Sequence, residues 1–575
     1  MKPKILALAI CTAIFSIACT QQYPVPLVKS SKDDRTEATA SHSLQTNSLQ
    51  VKRPWSTRQR PSQSGRVVLS AQIQPAQVDL LAHPGAGLQT ADAERYGDIH
   101  DNLVKRVSET PISTFSIDVD TGAYANVRRF LKAGQLPPHD AVRIEELLNY
   151  FSYDYERPQE RDTPFSINTQ VARSPWNENT HLLQVGIAGY DLKPSELPSA
   201  NLVFLIDVSG SMRHSSKIGL LKRGLKMLAE RMRPQDQVSI VVYAGASGVV
   251  LEPTSGDQKA RIAAALNELR AGGSTNGAAG IRLAYEMARR SFIAGGVNRI
   301  VLATDGDFNV GTTSFDALKQ LVERERETGV SLTTLGFGAG NYNEHLMEQL
   351  ANAGNGNYAY IDSEREAHKV LVEQMAGTLA TIAKDVKIQI EFNPVMVSEY
   401  RLIGYVNRKL AREDFDNDKV DAGEIGAGHT VTALYEVALN GSGGEKLPPL
   451  RFGRNVRSGD AVANELAHLR VRYKLPGGMV SKLIERPLHR SSIVAEPSAS
   501  LRFAAAVAGF GQLLRGGRHT GEFGFEEVAA LAESALTGDR FGRRQEFIQL
   551  ANQAAELFGG ASVKSVALIG PHPQG

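Results

Sequence analysis

Between residues 199 and 380, apolar runs of about five residues alternate with longer amphipathic stretches. The runs 202–206, 238–243, 300–303, 331–337 and 358–361 read as strands, and 217–232 (ended by Pro234), 257–269, 277–292 and 315–328 read as helices. Runs that are apolar throughout, rather than at alternate positions, predict strands buried on both faces. Their alternation with helices predicts an α/β fold, a doubly wound and mostly parallel sheet.

The flanks have a different rhythm. Ahead of this unit, 114–121 is strand-like, 124–133 and 142–151 are helical, and 165–171 and 182–189 are strands. Behind it the chain is β-rich to about residue 475, then helical at 501–514, 526–536 and 543–557. The expected organisation is a smaller α+β N-terminal domain at 94–198, the α/β domain at 199–380, and a β-rich then helical C-terminal domain at 381–575. Three such units suit a chain of 575 residues. Residues 20–92 are rich in Ser, Gln, Thr, Pro and Arg with scattered apolar positions, a composition that cannot offset the entropy of ordering. The segment is expected to be a flexible tether with an r.m.s. span of roughly 45–50 Å.

The first eighteen residues read as a signal peptide: Lys2 and Lys4, an apolar core from Ile5 to Ile17, then Ala18 and Cys19. Ser16-Ile17-Ala18-Cys19 resembles a bacterial lipobox, with Ser16 where Leu is usual, and implies lipidation of Cys19. An ordinary secretory signal is the alternative. The chain has 2 cysteines, and Cys11 would leave with the signal, so the mature protein would have neither a disulfide nor a catalytic thiol. Thr20, rather than Asp, follows the cysteine, which by the rules of such lipoproteins implies the outer membrane. Formal charge is +2, and removing Lys2 and Lys4 brings it near zero, so nucleic acid is not an expected partner.

The candidate chemistry lies where two strands end. Asp207 closes the run 202–206 and opens Asp207-Val208-Ser209-Gly210-Ser211; Asp305 follows the run 300–303; Gly273-Ser274-Thr275 lies between them. If both runs are parallel strands of one sheet, their carboxyl ends meet at the crevice where such sheets bind ligands. Two carboxylates and three hydroxyls are hard oxygen donors that suit magnesium or manganese rather than zinc.

These five positions resemble the metal-ion-dependent adhesion site (MIDAS) of the von Willebrand factor type A (VWA) fold. The resemblance implies that Ser209, Ser211 and Thr275 ligate through neutral hydroxyls, with Asp207 and Asp305 acting directly or through water. It also implies an open metal position that takes a Glu or Asp from a protein partner, which is binding rather than turnover. Ser116-Ile117-Asp118-Val119-Asp120-Thr121 and Tyr124-Ala-Asn-Val-Arg-Arg-Phe130, with Phe392-Asn-Pro394 and 400–405 in the tail, resemble the N- and C-terminal domains of a group of bacterial envelope lipoproteins that contain VWA. Together these imply a non-enzymatic protein tethered in the cell envelope, with no small-molecule substrate. A metal-dependent hydrolase or phosphotransferase using Asp207 or Asp118, and a purely structural envelope scaffold, are the competing readings.

Other motifs fall short of chemistry. Asp118 and Asp120 lack the register of a phosphatase nucleophile pair and are expected to serve the turn and cap the next helix. The acidic stretch 413–421 lacks the Gly and Glu of a calcium loop and is expected to be a solvated hairpin. His214 is expected to be an exposed loop residue. Neither 336–341 nor 272–276 completes a dinucleotide fingerprint or a nucleophile elbow.

Overall fold

In the structure, a computed structural model that describes residues 94–274, 276–306, 314–448 and 464–567, five strands run parallel. Their spatial order is Tyr358–Ile361, Val330–Phe337, Val297–Thr304, Ala200–Asp207 and Gln237–Tyr243, with Ser247–Ser255 added antiparallel at the edge. The two-residue period of each strand divides its apolar side chains between two cores. Phe204, Ile206, Val301 and Leu335 pack with the helices Leu220–Arg231 and Lys259–Glu268. Val203, Leu205, Ile300 and Leu302 pack with Gly277–Arg290, Phe315–Arg326 and Glu344–Ala353. The doubly wound sheet is as the apolar runs predict. Two of its elements were not: the edge strand Ser247–Ser255, which carries Pro253 and little alternation, and the helix Glu344–Ala353, a short segment opened by Asn343, whose side chain accepts the N–H of Leu346 at 3.2 Å. Proline is tolerated in an edge strand because no neighbour needs its missing N–H.

The segments before and after this sheet share their own sheets. Thr381–Phe392 pairs with Ile112–Ser116 on one edge and with Glu465–Lys474 on the other. Thr430–Leu439 pairs with both Val397–Ile403 and Asn177–Gly189, which continues to Phe165–Ser174. Phe115, Val185, Ile388, Ile390, Val431 and Tyr435 meet in a single core between these antiparallel layers. The α/β unit is therefore inserted between two stretches of chain that complete one β-structure. A fourth core joins the helices Gly122–Lys132 and Ile144–Asn149 to Ala499–Leu514, Phe525–Glu533 and Arg543–Ala567.

Buried ion pairs tie the inserted unit to its flanks. Arg128, 2% exposed, donates to Asp362 at 2.5 and 2.7 Å, to Glu366 at 2.8 Å and to Glu546 at 3.1 Å. Arg143 holds Glu344 at 2.7 Å and Glu348 at 2.8 Å. Arg408 holds Asp118 at 3.1 Å and Asp120 at 3.2 Å, and Asp120 also accepts the N–H of Tyr358 at 2.8 Å. This corrects the expected capping role of the two aspartates. Asp118 does serve the turn, accepting the N–H of Asp120 at 3.0 Å, but the helix Gly122–Lys132 starts with no side-chain cap from that turn; the N–H of Ala123 is taken by Glu146 at 2.8 Å, and the aspartates also bind across to other segments. The acidic stretch 413–421 is mostly exposed, as expected of a solvated loop. Arg472 pairs with Asp416 and Asp418, both at 3.1 Å, and Arg326 with Asp421 at 2.5 Å. The signal segment, Cys19, the linker 19–93 and Thr275 lie outside the described residues. Among the described residues no helix is long and apolar enough to cross a membrane.

Removing one partner of a buried, fully bonded charge leaves the others uncompensated. Arg128→Met is expected to cost about 3–5 kcal/mol in urea unfolding at pH 7. Burial works to raise the carboxyls of Glu366 and Glu546, but Lys369 and Arg128 outweigh it at Glu366, as Arg128 and Lys132 do at Glu546, and both are held below the usual range. Depressed carboxylates stabilise the fold above their unfolded value, and that stability is lost as pH falls through the folded one. The gap between wild type and Arg128→Met should therefore be full above the ordinary glutamate value of 4.5 and shrink below it.

Candidate metal centre

Asp207 is the last residue of its strand and is fully buried at the carboxyl end of the sheet. One carboxylate oxygen accepts the N–H of Ser209 at 2.8 Å; the other accepts the hydroxyl of Thr304, the last residue of the neighbouring strand, also at 2.8 Å. The turn that follows sets the hydroxyls of Ser209 and Ser211 2.9 Å apart, Ser209 buried and Ser211 half-buried. Asp305 is fully buried beside them. Burial pushes the Asp207 carboxyl up, hydrogen bonds from Ser209 and Thr304 pull it back, and the charge of Asp305 adds to the rise. Two carboxylates sharing a dry pocket are stabilised by a cation.

The loop that carries the third hydroxyl docks on this turn. Gly272 N–H donates to Val208 O at 2.7 Å, and Gly210 N–H donates to Gly273 O at 3.0 Å. Gly273 has φ +97°, a left-handed conformation that glycine adopts without strain. The structure thus brings together Asp207, Ser209, Ser211 and Asp305, while Thr275 falls outside the described residues, two positions beyond Gly273. His214 is exposed, and its Nδ1 lies 2.7 Å from the Ser216 hydroxyl.

Sequence reasoning missed Lys217. Its Nζ donates to Asp305 Oδ2 at 2.9 Å and to Asn341 Oδ1 at 3.2 Å, and the residue is only 8% exposed. The side chain reaches Asp305 by lying over Gly338, φ +79°, where a β-carbon would collide with the lysine stem. A lysine at the start of a helix looks like a solvent-facing residue in the sequence; only the Gly-Phe-Gly-Ala-Gly run that makes room for it gave a signal, and that signal has no fixed spacing from the lysine. With Lys217 present, the two carboxylates and one ammonium sum to one negative charge.

Among the described residues no group of three or more His, Cys, Asp and Glu gathers to hold a metal; the cup is two carboxylates plus hydroxyls. Such a donor set fits a hard divalent cation that retains part of its water.

Three family models match the chain: "von Willebrand factor" over residues 90–184, "von Willebrand factor type A domain" over 201–374, and "Uncharacterized protein YfbK, C-terminal" over 377–557. The chain is 47% identical over 491 residues to "Uncharacterized protein YfbK" of Escherichia coli (strain K12), covering 84% of each. It is 29% identical over 229 residues to "Inter alpha-trypsin inhibitor, heavy chain 4" of Mus musculus, covering 37% of this chain and 24% of that one. Among solved structures, "von Willebrand factor type A from Catenulispora acidiphila" aligns with 14% identity and a TM-score of 0.37, covering 67% of this chain and 88% of that one. VWA domains are commonly metal-dependent protein-interaction modules and typically non-enzymatic.

Magnesium titrated calorimetrically into the full-length chain should bind saturably, and Asp207→Ala should abolish the binding. Lys217→Met removes a positive charge from the cup and should tighten binding roughly tenfold, about 1.4 kcal/mol. Equal affinities for Lys217→Met and wild type would show that the ammonium does not sense the cation.

Proposed function

The chain belongs to the YfbK family of bacterial VWA-containing proteins, and from that premise we propose that it captures a protein partner by binding a Glu or Asp of that partner through a divalent metal. Asp207, Ser209, Ser211, Thr275 and Asp305 would hold the cation, magnesium or manganese by their hard-oxygen chemistry. The observation that carries this reading is the pairing of Lys217 with Asp305 at 2.9 Å beside two serine hydroxyls. The site's own charge is too small to neutralise a divalent ion, so a bound cation retains affinity for an external carboxylate. The metal, when bound, supplies that Lewis-acidic open position. The chain's residues bury the carboxylates, orient the hydroxyls and keep one acid engaged by lysine.

We propose further that Cys19 carries a lipid anchor and that the linker to residue 93 sets the reach of the head within the bacterial cell envelope, at the outer membrane. The match to the VWA model over 201–374 supports an interaction role; the signal-like residues 1–18 support the envelope. The reading with metal as a mere scaffold gains nothing from a cup that would leave a bound divalent cation unneutralised.

The test is capture by the immobilised full-length chain from a library of peptides with a central Glu or Asp, in magnesium and again in EDTA. The expected result is a set of acidic peptides retained in magnesium, released by EDTA, and lost in Asp207→Ala and Thr275→Ala. Retention that survives EDTA, or that persists when Glu is replaced by Gln in the selected peptides, would overturn the proposal.

A further inference from the structure

A second site lies toward the amino end of the same sheet. Arg299 precedes Asp305 by six residues on one strand, a separation of roughly 20 Å at the rise of an extended chain. There a cavity of about 420 Å³ opens between the sheet, the helical segment Lys369–Glu373 and the flanking β-structure. Its walls include Leu202, Val301, Leu335 and Leu371, and exposed Phe541 and Asp191 mark where it reaches solvent. The volume is within the range of small-molecule sites, and the junction of chain segments is where such sites concentrate.

What distinguishes the cavity is buried cationic side chains whose hydrogen bonds are left unmade. Arg299, 4% exposed, has one hydrogen bond, from Nη1 to the Thr333 hydroxyl at 2.7 Å; its Nε has none, and among the described residues no carboxylate comes within ion-pair distance. Lys369, 2% exposed, makes no hydrogen bond. Its ammonium lies 3.5 Å from the Tyr150 ring centre and 3.5 Å from Glu366, whose other oxygen already accepts from Arg128 and Tyr150, both at 2.8 Å. His429 lines the same space with Nδ1 unpartnered. Two further lining cations are already spoken for: Arg157 pairs with Asp191 at 3.2 Å and Arg543 with Glu373 at 2.6 Å. Burial pushes the Lys369 ammonium down to about 8, and burial together with Arg299, Arg157 and Lys369 pushes the His429 imidazole down to about 4. Charges in such surroundings are strained until an anion reaches them.

We propose that this cavity binds a small anionic molecule with an apolar body, its carboxylate or phosphate head held by Arg299 and Lys369 beside His429. The aliphatic walls take the body, and the head completes charge-assisted hydrogen bonds that the protein leaves unmade. The site is separate from the metal cup and independent of the partner-capture reading.

Calorimetric titration of the full-length chain with decanoate, decyl phosphate and decanol, all in EDTA so that the cup does not contribute, tests the idea. At least one of the two anions should bind saturably and at least tenfold more tightly than decanol, and which anion does so identifies the head. Lys369→Met and Arg299→Leu should each weaken that anion at least tenfold while leaving decanol unchanged. Decanol binding as tightly as both anions, absence of saturable binding by either anion, or unchanged anion affinity in Lys369→Met would overturn it. If Arg299→Leu does not fold, Lys369→Met and the comparison of ligands on wild type decide the matter.

Discussion

A guanidinium removed from water must find its hydrogen bonds in protein, and Arg128 finds four of its five across segment boundaries, the fifth going to Tyr150 in its own flank. Its helix comes from the N-terminal flank, Asp362 and Glu366 follow the last strand of the inserted sheet, and Glu546 stands on the final helix. Tyr124 and Tyr150 stack 3.9 Å apart beside it, and Tyr150 also donates to Glu366. An isolated charge in that position would be costly, so Arg128 is satisfied only where the three segments meet. Arg143 and Arg408 repeat the arrangement with Glu344, Glu348, Asp118 and Asp120. The cup and the cationic cavity both depend on this fixation: one needs the strand ends in register, the other exists only where inserted sheet and flanks meet.

The two candidate sites use charge in opposite senses. At the carboxyl ends of the strands, buried acid exceeds buried base by one, and the excess is offered to a cation. Toward the amino ends, Arg299 has no carboxylate within ion-pair distance among the described residues and Lys369 shares Glu366 with Arg128, and their unmade hydrogen bonds are offered to an anion. One sheet can hold both because its covered faces prevent either from being relieved by solvent.

Local pattern was enough for the parallel sheet, since its strands are short, mainly apolar runs set among helices, and for the Asp207, Ser209, Ser211 and Asp305 positions, which follow directly from where two runs end. It was not enough for Lys217, whose partner Asp305 is 88 residues away and whose burial depends on a glycine at 338. Nor was it enough for the flanks. Ile112–Ser116 and Thr381–Phe392 each look like strands, but pairing is a property of two segments, and nothing in either names the other. The capping role expected of Asp118 and Asp120 fails for the same reason: a carboxylate before a helix suggests a cap, and the competing Arg408 is 290 and 288 residues distant.

The insertion of one unit into another imposes an order in time. Thr114, in the strand Ile112–Ser116, bonds to Gln389, 275 residues further along the chain. At the usual pace of translation that interval lasts roughly 15 to 55 s, during which the early strand has an unpaired edge. The inserted sheet has all its strands within its own stretch of sequence and can collapse during the wait. The flanking layers cannot close until the ribosome has passed it, so the enclosed unit would act as the template on which the earlier and later halves are brought together.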